Sequence, residues 1–178
     1  MSEFYFCLDE QLAEKCKLYN EQCLEDTKIS PGDFLPKRAD DLSAGWDVRC
    51  AETTELIPFR YLKIPLGFKV FVPDGWFLKL VPRSSTFIKR HIHSLYGTID
   101  ESYEGMCYYC CQYVPDNDDI IMANSFKEIK FGERIAQIIP EIRYNISCRI
   151  ASSEKFATLC SERNATRGSG GFGSSGIK

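Results

Sequence analysis

The chain has 178 residues, 44% of them hydrophobic and 26% charged, with a formal net charge of −3. That length suits one domain with a real core. The acidic balance speaks against a nucleic-acid binder, which normally presents a basic face, and no apolar run is long enough to span a bilayer.

The N-terminal MSEFYFCLDE lacks the basic stretch and apolar run of a signal peptide, so neither a signal peptide nor a membrane anchor is expected. The nine cysteines are odd in number and irregular in spacing, which fits free thiols in a reducing cytoplasm. Phe4–Leu8 reads as a short strand. About residues 9–23 read as a helix with Asp9 as N-cap, because Leu12, Cys16, Tyr19 and Cys23 fall on one face and the other face is charged. Such a helix docks on a β core.

From Lys28 the pattern changes to short strands between turns. Val48–Ala51, Tyr61–Ile64, Gly67–Val72, Trp76–Val81, Met106–Val114, Ile135–Ile139 and Ile146–Ile150 are rich in aromatic and β-branched residues. Pro73-Asp74-Gly75 is a turn between two of them. Many short strands favour a sandwich or barrel. Residues 115–127 read as a polar, acidic surface loop. Arg167 to Gly176, RGSGGFGSSG, is half glycine and cannot hold itself in place by burial.

Five short segments carry polar chemistry. Asp47, in Ala44-Gly45-Trp46-Asp47, is either a turn residue or a partner for a metal-bound water. Pro82-Arg83-Ser84-Ser85 follows a strand and offers a guanidinium and two hydroxyls to phosphate, or is an ordinary turn. Gly97 to Gly105, GTIDESYEG, reads as a hairpin loop in which Asp100 could deprotonate a water and Tyr103 could form a wall. In Gly132 to Gln137, GERIAQ, Arg134 reads as a structural ion-pair member. The glycine-rich tail fits a linker by composition, but a linker needs neither Arg167 nor Phe172. Glycine amides and an arginine suit an anion, and a ring suits a base.

Other signals are weaker. Cys107 and Cys110 form a CxxC, yet in a strand they point to opposite faces, and there is no second CxxC to complete a zinc site. His91 and His93 would share a strand face, with no third ligand evident.

In their order along the chain, AGWD, PRSS, GTIDESYEG, GERIAQ and RGSGGFGSSG resemble the five motifs of the trimeric dUTPase family, over roughly Phe34 to Gly176. The resemblance implies an all-β distorted jelly roll, here with an extra N-terminal helix. It implies a homotrimer whose active sites are shared between chains, and a division into a β domain at 1–166 and a closing arm at 167–178. It implies hydrolysis of dUTP to dUMP and pyrophosphate by water attack on the α-phosphate, with Asp100 activating the water. Tyr103 would lie under the deoxyribose. Tyr96, Gly97, Thr98 and Ile99 would form a hairpin that reads uracil, and Phe172 would cover the base. Arg83, Ser84, Ser85, Gln137, Arg167, Gly173, Ser174 and Ser175 would contact the phosphates. Asp47 would support the site and reach waters on magnesium, which is bound mainly through the triphosphate, with no direct protein ligand. This chain departs from the family in its N-terminal helix, Thr98, the YYCCQY stretch at 108–113, the long 115–127 loop and Ser175 in place of threonine. The helix and the acidic loop are candidate surfaces for a protein partner. The alternatives are a dCTP deaminase of the same fold and a dUTP-gated interaction protein.

Overall fold

The computed structural model describes residues 3–116 and 127–163. By contact the chain falls into two units, Met1–Tyr144 and Asn145–Lys178. The arm expected at 167–178 belongs to the second unit and lies outside the described residues; most of the loop expected at 115–127, in the first unit, lies outside them too.

The first unit is mostly antiparallel β structure. Its strands are β1 (Tyr5–Leu8), β2 (Trp46–Arg49), β3 (Thr54–Glu55), β4 (Tyr61–Pro65), β5 (Phe68–Phe71), β6 (Trp76–Pro82), β7 (Ile92–Ser94), β8 (Gly97–Asp100), β9 (Tyr108–Tyr113), β10 (Glu128–Ile129) and β11 (Arg134–Ile142). Its helices are α1 (Leu12–Asn20) and α2 (Ser84–Arg90). A four-stranded sheet runs β2-β11-β6-β8, a three-stranded sheet runs β4-β9-β7, and β1-β5 and β3-β10 form two-stranded pairs.

The strands form where apolar residues alternate. In β4 and β5, Leu62, Ile64, Phe68 and Val70 point inward, and Tyr61, Lys63, Lys69 and Phe71 point outward. The inward set joins Leu78, Tyr109 and Ile138 in one core. Strand β1 adds Phe6, edge-on to Phe68 at 5.4 Å, and the preceding Phe4 meets Trp46 and Trp76 at 5.6 and 5.9 Å. Edge-to-face geometry at these separations is the favourable aromatic arrangement.

Helix α1 docks on this β core through the expected face. Leu12 and Cys16 are buried with Phe34, Ala51 and Phe131, and Tyr19 packs on Phe131 at 5.4 Å. The helix is shorter than the expected 9–23. Asp9 does not cap it: its carboxylate accepts from the Gln11 N–H at 3.1 Å and its carbonyl from the Leu12 N–H at 3.0 Å, so a turn precedes the helix. Gly67 makes the docking close. It has a φ of +75°, and a Cβ there would stand 2.9 Å from the Ala51 Cβ and 3.1 Å from a Leu12 methyl. Gly67→Ala should therefore cost about 2–4 kcal/mol, combining left-handed strain with overpacking. A denaturant midpoint equal to the parent's would contradict this.

Two further expectations are corrected. Ile146–Ile150 is not a strand; these residues are exposed and make no ladder, since β-branched residues need a neighbouring strand to pair with. A helix instead lies further on, α3 (Ser153–Ser161), with the Ser152 hydroxyl accepting from the Lys155 N–H at 3.2 Å. His91 and His93 do not share a strand face: His91 ends α2 in the left-handed region at φ 52°, and His93 alone sits in β7.

All nine cysteines are free. Cys107 and Cys111 are buried and Cys110 faces the other side of β9, as the pleat requires. Burial pushes the thiols of Cys50, Cys107 and Cys111 up to about 12. In the native protein a thiol reagent should therefore react quickly with the exposed Cys7, Cys148 and Cys160, and reach Cys16, Cys50, Cys107 and Cys111 only on unfolding. Rapid native labelling of Cys107 or Cys111 would contradict this placement.

Candidate active site

Strand β11 assembles three of the motifs, because it is the strand between β2 and β6. Gln137 pairs with Asp47 on one side and with Val81 on the other. Asp47, Arg83, Arg134 and Gln137 therefore converge although they are distant in sequence. The Asp47 carboxylate accepts from Arg83 Nε at 3.0 Å and from an Arg134 guanidinium nitrogen at 3.2 Å. The Asp47 side chain is only 16% exposed. Arg134 is thus the ion-pair member expected from the sequence.

Gln137 is fixed from two directions. Its Nε2 donates to the Pro82 carbonyl at 3.0 Å. A Cβ on Gly45 would stand 2.3 Å from the Gln137 Oε1, so glycine at 45 leaves the space that this side chain fills. Arg83 is the residue before α2. Its N–H donates to the Thr86 hydroxyl at 3.1 Å, and that hydroxyl donates to the Ile135 carbonyl at 3.0 Å. Buried Thr86 thereby fastens α2 to β11 and presents Arg83, Ser84 and Ser85 at the strand end. Sequence reasoning missed Thr86: with arginine at the N-cap and threonine at the third helical position, the segment lacks the Ser/Thr-to-Glu/Gln pattern of a capping box.

The second group lies further along the same sheet. Gly97 to Gly105 is not one loop: Gly97–Asp100 forms β8, which pairs with β6, and the turn begins at Glu101. Nor do β7 and β8 make a hairpin around Tyr96. They join different sheets, so Leu95 and Tyr96 are a link between sheets. Among the described residues β8 is an edge strand of its sheet, with no ladder partner there for its outer N–H and C=O groups. Tyr96, Thr98 and Asp100 are exposed, and Ile99 is buried.

The Tyr103 hydroxyl donates to the Met106 carbonyl at 2.8 Å, and its N–H donates to the Asp100 carbonyl at 3.1 Å. Gly105 permits this fold-back, since a Cβ there would lie 2.5 Å from the Tyr103 hydroxyl. Glu101 was not singled out from the sequence. Its carboxylate accepts from the Gly75 N–H at 2.9 Å and takes Arg143 in a fork at 2.9–3.2 Å. These donors, the Gly75 N–H first, hold its carboxyl below the usual range, so the contact persists at neutral pH and is lost only as pH falls through that lowered value.

The two groups are well separated within the chain. Asp100 pairs with Phe77, five residues along β6 from Pro82, or about 17 Å at strand rise. Arg167, Phe172, Gly173, Ser174 and Ser175 lie outside the described residues. Among the described residues no group of three or more His, Cys, Asp or Glu side chains could hold a metal ion. No helix among them is long and apolar enough to cross a membrane.

The dUTPase family pattern matches residues 34–176. The deoxyuridine 5'-triphosphate nucleotidohydrolase of Candida albicans is 30% identical over 170 residues, covering 94% of this chain and 97% of the relative. The Wolbachia pipientis protein of the same name is 36% identical over 163 residues, covering 86% and 95%. A Staphylococcus bacteriophage 80alpha dUTPase solved with dUpNHpp superposes with a TM-score of 0.68 at 23% identity, covering 99% of this chain and all of that one. The matched span takes in the Asp47–Arg83–Arg134–Gln137 cluster, the Asp100–Tyr103 turn and the glycine-rich tail, and this chain belongs to the dUTPase family.

Proposed function

We propose that this protein hydrolyses dUTP to dUMP and pyrophosphate, as a homotrimeric jelly roll in which each active site draws on more than one chain. The observation that carries the shared site is the distance of about 17 Å along β6 between Asp100 and the Arg83 end. A base and the phosphates it serves must lie within hydrogen-bond reach, directly or through one water. Asp100 of one chain therefore serves phosphates gripped by Arg83 of another. Phe87 and Ile88 of α2, 53% and 76% exposed beside that grip, suit an interface with a neighbouring chain.

In this reading the Asp100 carboxylate takes a proton from a water, whose oxygen bonds to the α-phosphorus as pyrophosphate departs. Arg83, Ser84, Ser85 and Gln137 hold phosphate oxygens. Arg167, Gly173, Ser174 and Ser175 close on the γ-phosphate, and Phe172 stacks on the base. Positioning and charge neutralisation supply most of such a rate. The Tyr103 ring, held by its bond to Met106, excludes a 2′-hydroxyl. The outer edge of β8, from Gly97 to Ile99 with Tyr96 beside it, reads uracil through backbone groups and rejects cytosine by leaving a buried donor or acceptor unpaired. Magnesium held by the triphosphate and by waters near Asp47 would supply charge neutralisation for the departing pyrophosphate. The donor set fits that mode: Arg83 and Arg134 each engage one oxygen of Asp47, and its remaining lone pairs can take a metal-bound water. The nine free thiols suit a reducing compartment such as the cytoplasm.

Subunit mixing tests the shared site. Asp100→Asn and Arg83→Ala should each be nearly inactive alone. Mixed under conditions that exchange chains, they should regain activity, because some sites then combine an intact Asp100 with an intact Arg83. Sedimentation that shows trimers exchanging without any recovery would place both residues in one chain's site.

A further inference from the structure

We infer that Glu101 is a positioning residue for the Asp100 and Tyr103 side of the active site. This rests on the roles proposed above for those two residues. Three strand ends meet at its carboxylate. The last pair of the β6–β8 ladder is Phe77 with Asp100, and the last pair of the β6–β11 ladder is Trp76 with Ile142. Glu101, Gly75 and Arg143 are each one residue beyond those pairs.

Beyond Asp100 the ladder no longer places the chain. The bonds from the Tyr103 N–H to the Asp100 carbonyl and from the Tyr103 hydroxyl to the Met106 carbonyl lie within the turn. They fix its shape. Its far end is tied at Cys107, whose N–H donates to the Phe68 carbonyl and whose carbonyl accepts from the Leu66 N–H, each at 2.9 Å. Glu101 fixes the Asp100 end, through the Gly75 N–H and the Arg143 fork. The Arg143 N–H in turn donates to the Gly75 carbonyl at 2.8 Å, so the anchors brace each other. Gly75 itself sits at φ +77°, in the conformation that aims its N–H at this point without strain.

A contact of this kind separates positioning from bulk stability. The Glu101 and Arg143 side chains are 31% and 51% exposed, and pairs at that exposure contribute little to folding. A small displacement of a base or a sugar wall has a large kinetic effect. Tyr103 sets discrimination against a 2′-hydroxyl, so the ratio of kcat/KM for dUTP over UTP reads the turn's placement directly.

The test measures kcat and KM on dUTP and UTP for the full chain carrying Glu101→Ala, Glu101→Gln, Arg143→Ala and the Glu101→Ala/Arg143→Ala pair. Glu101→Ala should lower kcat/KM on dUTP about 10- to 100-fold and the dUTP/UTP ratio about tenfold. Its Tm should move by no more than about 2–4 °C. Glu101→Gln keeps an acceptor for Gly75 and should recover most of the loss. The pair should be no worse than Glu101→Ala alone, since both remove one contact. An unchanged dUTP/UTP ratio, or activity that falls only in step with Tm, overturns the inference. If Asp100→Asn is inactive while Glu101→Ala matches the parent, the inference alone fails; if Asp100→Asn turns over normally, the proposed base fails and the inference with it.

Discussion

Asp100→Asn should lower kcat by about 10²–10⁴-fold while dUTP still binds. Asparagine has the shape of aspartate and can hydrogen-bond a water, but it cannot take its proton. The substitution leaves the β8–β6 ladder and the Tyr103 N–H bond to the residue 100 carbonyl in place, since both use backbone atoms. Asp100 is exposed in the single chain, so removing its charge strands no buried partner. Affinity for a non-hydrolysable imido analogue of dUTP should therefore stay within a few-fold of the parent's. Turnover near the parent's would remove Asp100 as the base and move the search to other carboxylates near the turn.

Phe172→Ala should lower kcat/KM on dUTP by on the order of 1–3 kcal/mol, the typical worth of a base stacked on an aromatic ring. That is about a 5- to 150-fold loss. The ring sits between glycines in RGSGGFGSSG, where it contributes a flat apolar face and its neighbours contribute bare backbone. Phe172→Trp keeps such a face and should retain most of the activity. A kcat/KM for Phe172→Ala equal to the parent's would mean that the tail does not cover the base.

What the sequence made legible follows from how local each signal is. The strands of the first unit could be read because inward residues such as Leu62 and Ile64 alternate with outward Tyr61 and Lys63. The docking face of α1 was equally plain from Leu12, Cys16 and Tyr19. Helix α2 was not, because seven residues are too few for a period to emerge, and its Phe87 and Ile88 are exposed. The strand expected at Ile146–Ile150 shows the converse: a β-rich composition cannot name the partner that a strand requires.

The site divides in the same way. Asp47, Arg83, Asp100, Tyr103 and Gln137 were marked by short motifs, and Arg134 was read as an ion-pair member. That β11 would set Asp47 beside Gln137, 90 positions apart, is a property of sheet order, which no local pattern carries. Glu101 was passed over for the same reason: Arg143 lies 42 residues away, and one charge in a polar turn reads as solvated. Asp100 and Arg83 stand near opposite ends of β6, a separation set by the β6–β8 register and not by any motif.

The most direct test is hydrolysis in ¹⁸O-labelled water, with magnesium and with dUTP, dCTP, dTTP or UTP supplied separately. The expected result is dUMP and pyrophosphate from dUTP alone, with the label in dUMP, because the water oxygen bonds to the α-phosphorus. Label in the pyrophosphate would contradict attack at the α-phosphate, and dUTP formed from dCTP would show a deaminase in place of the hydrolase.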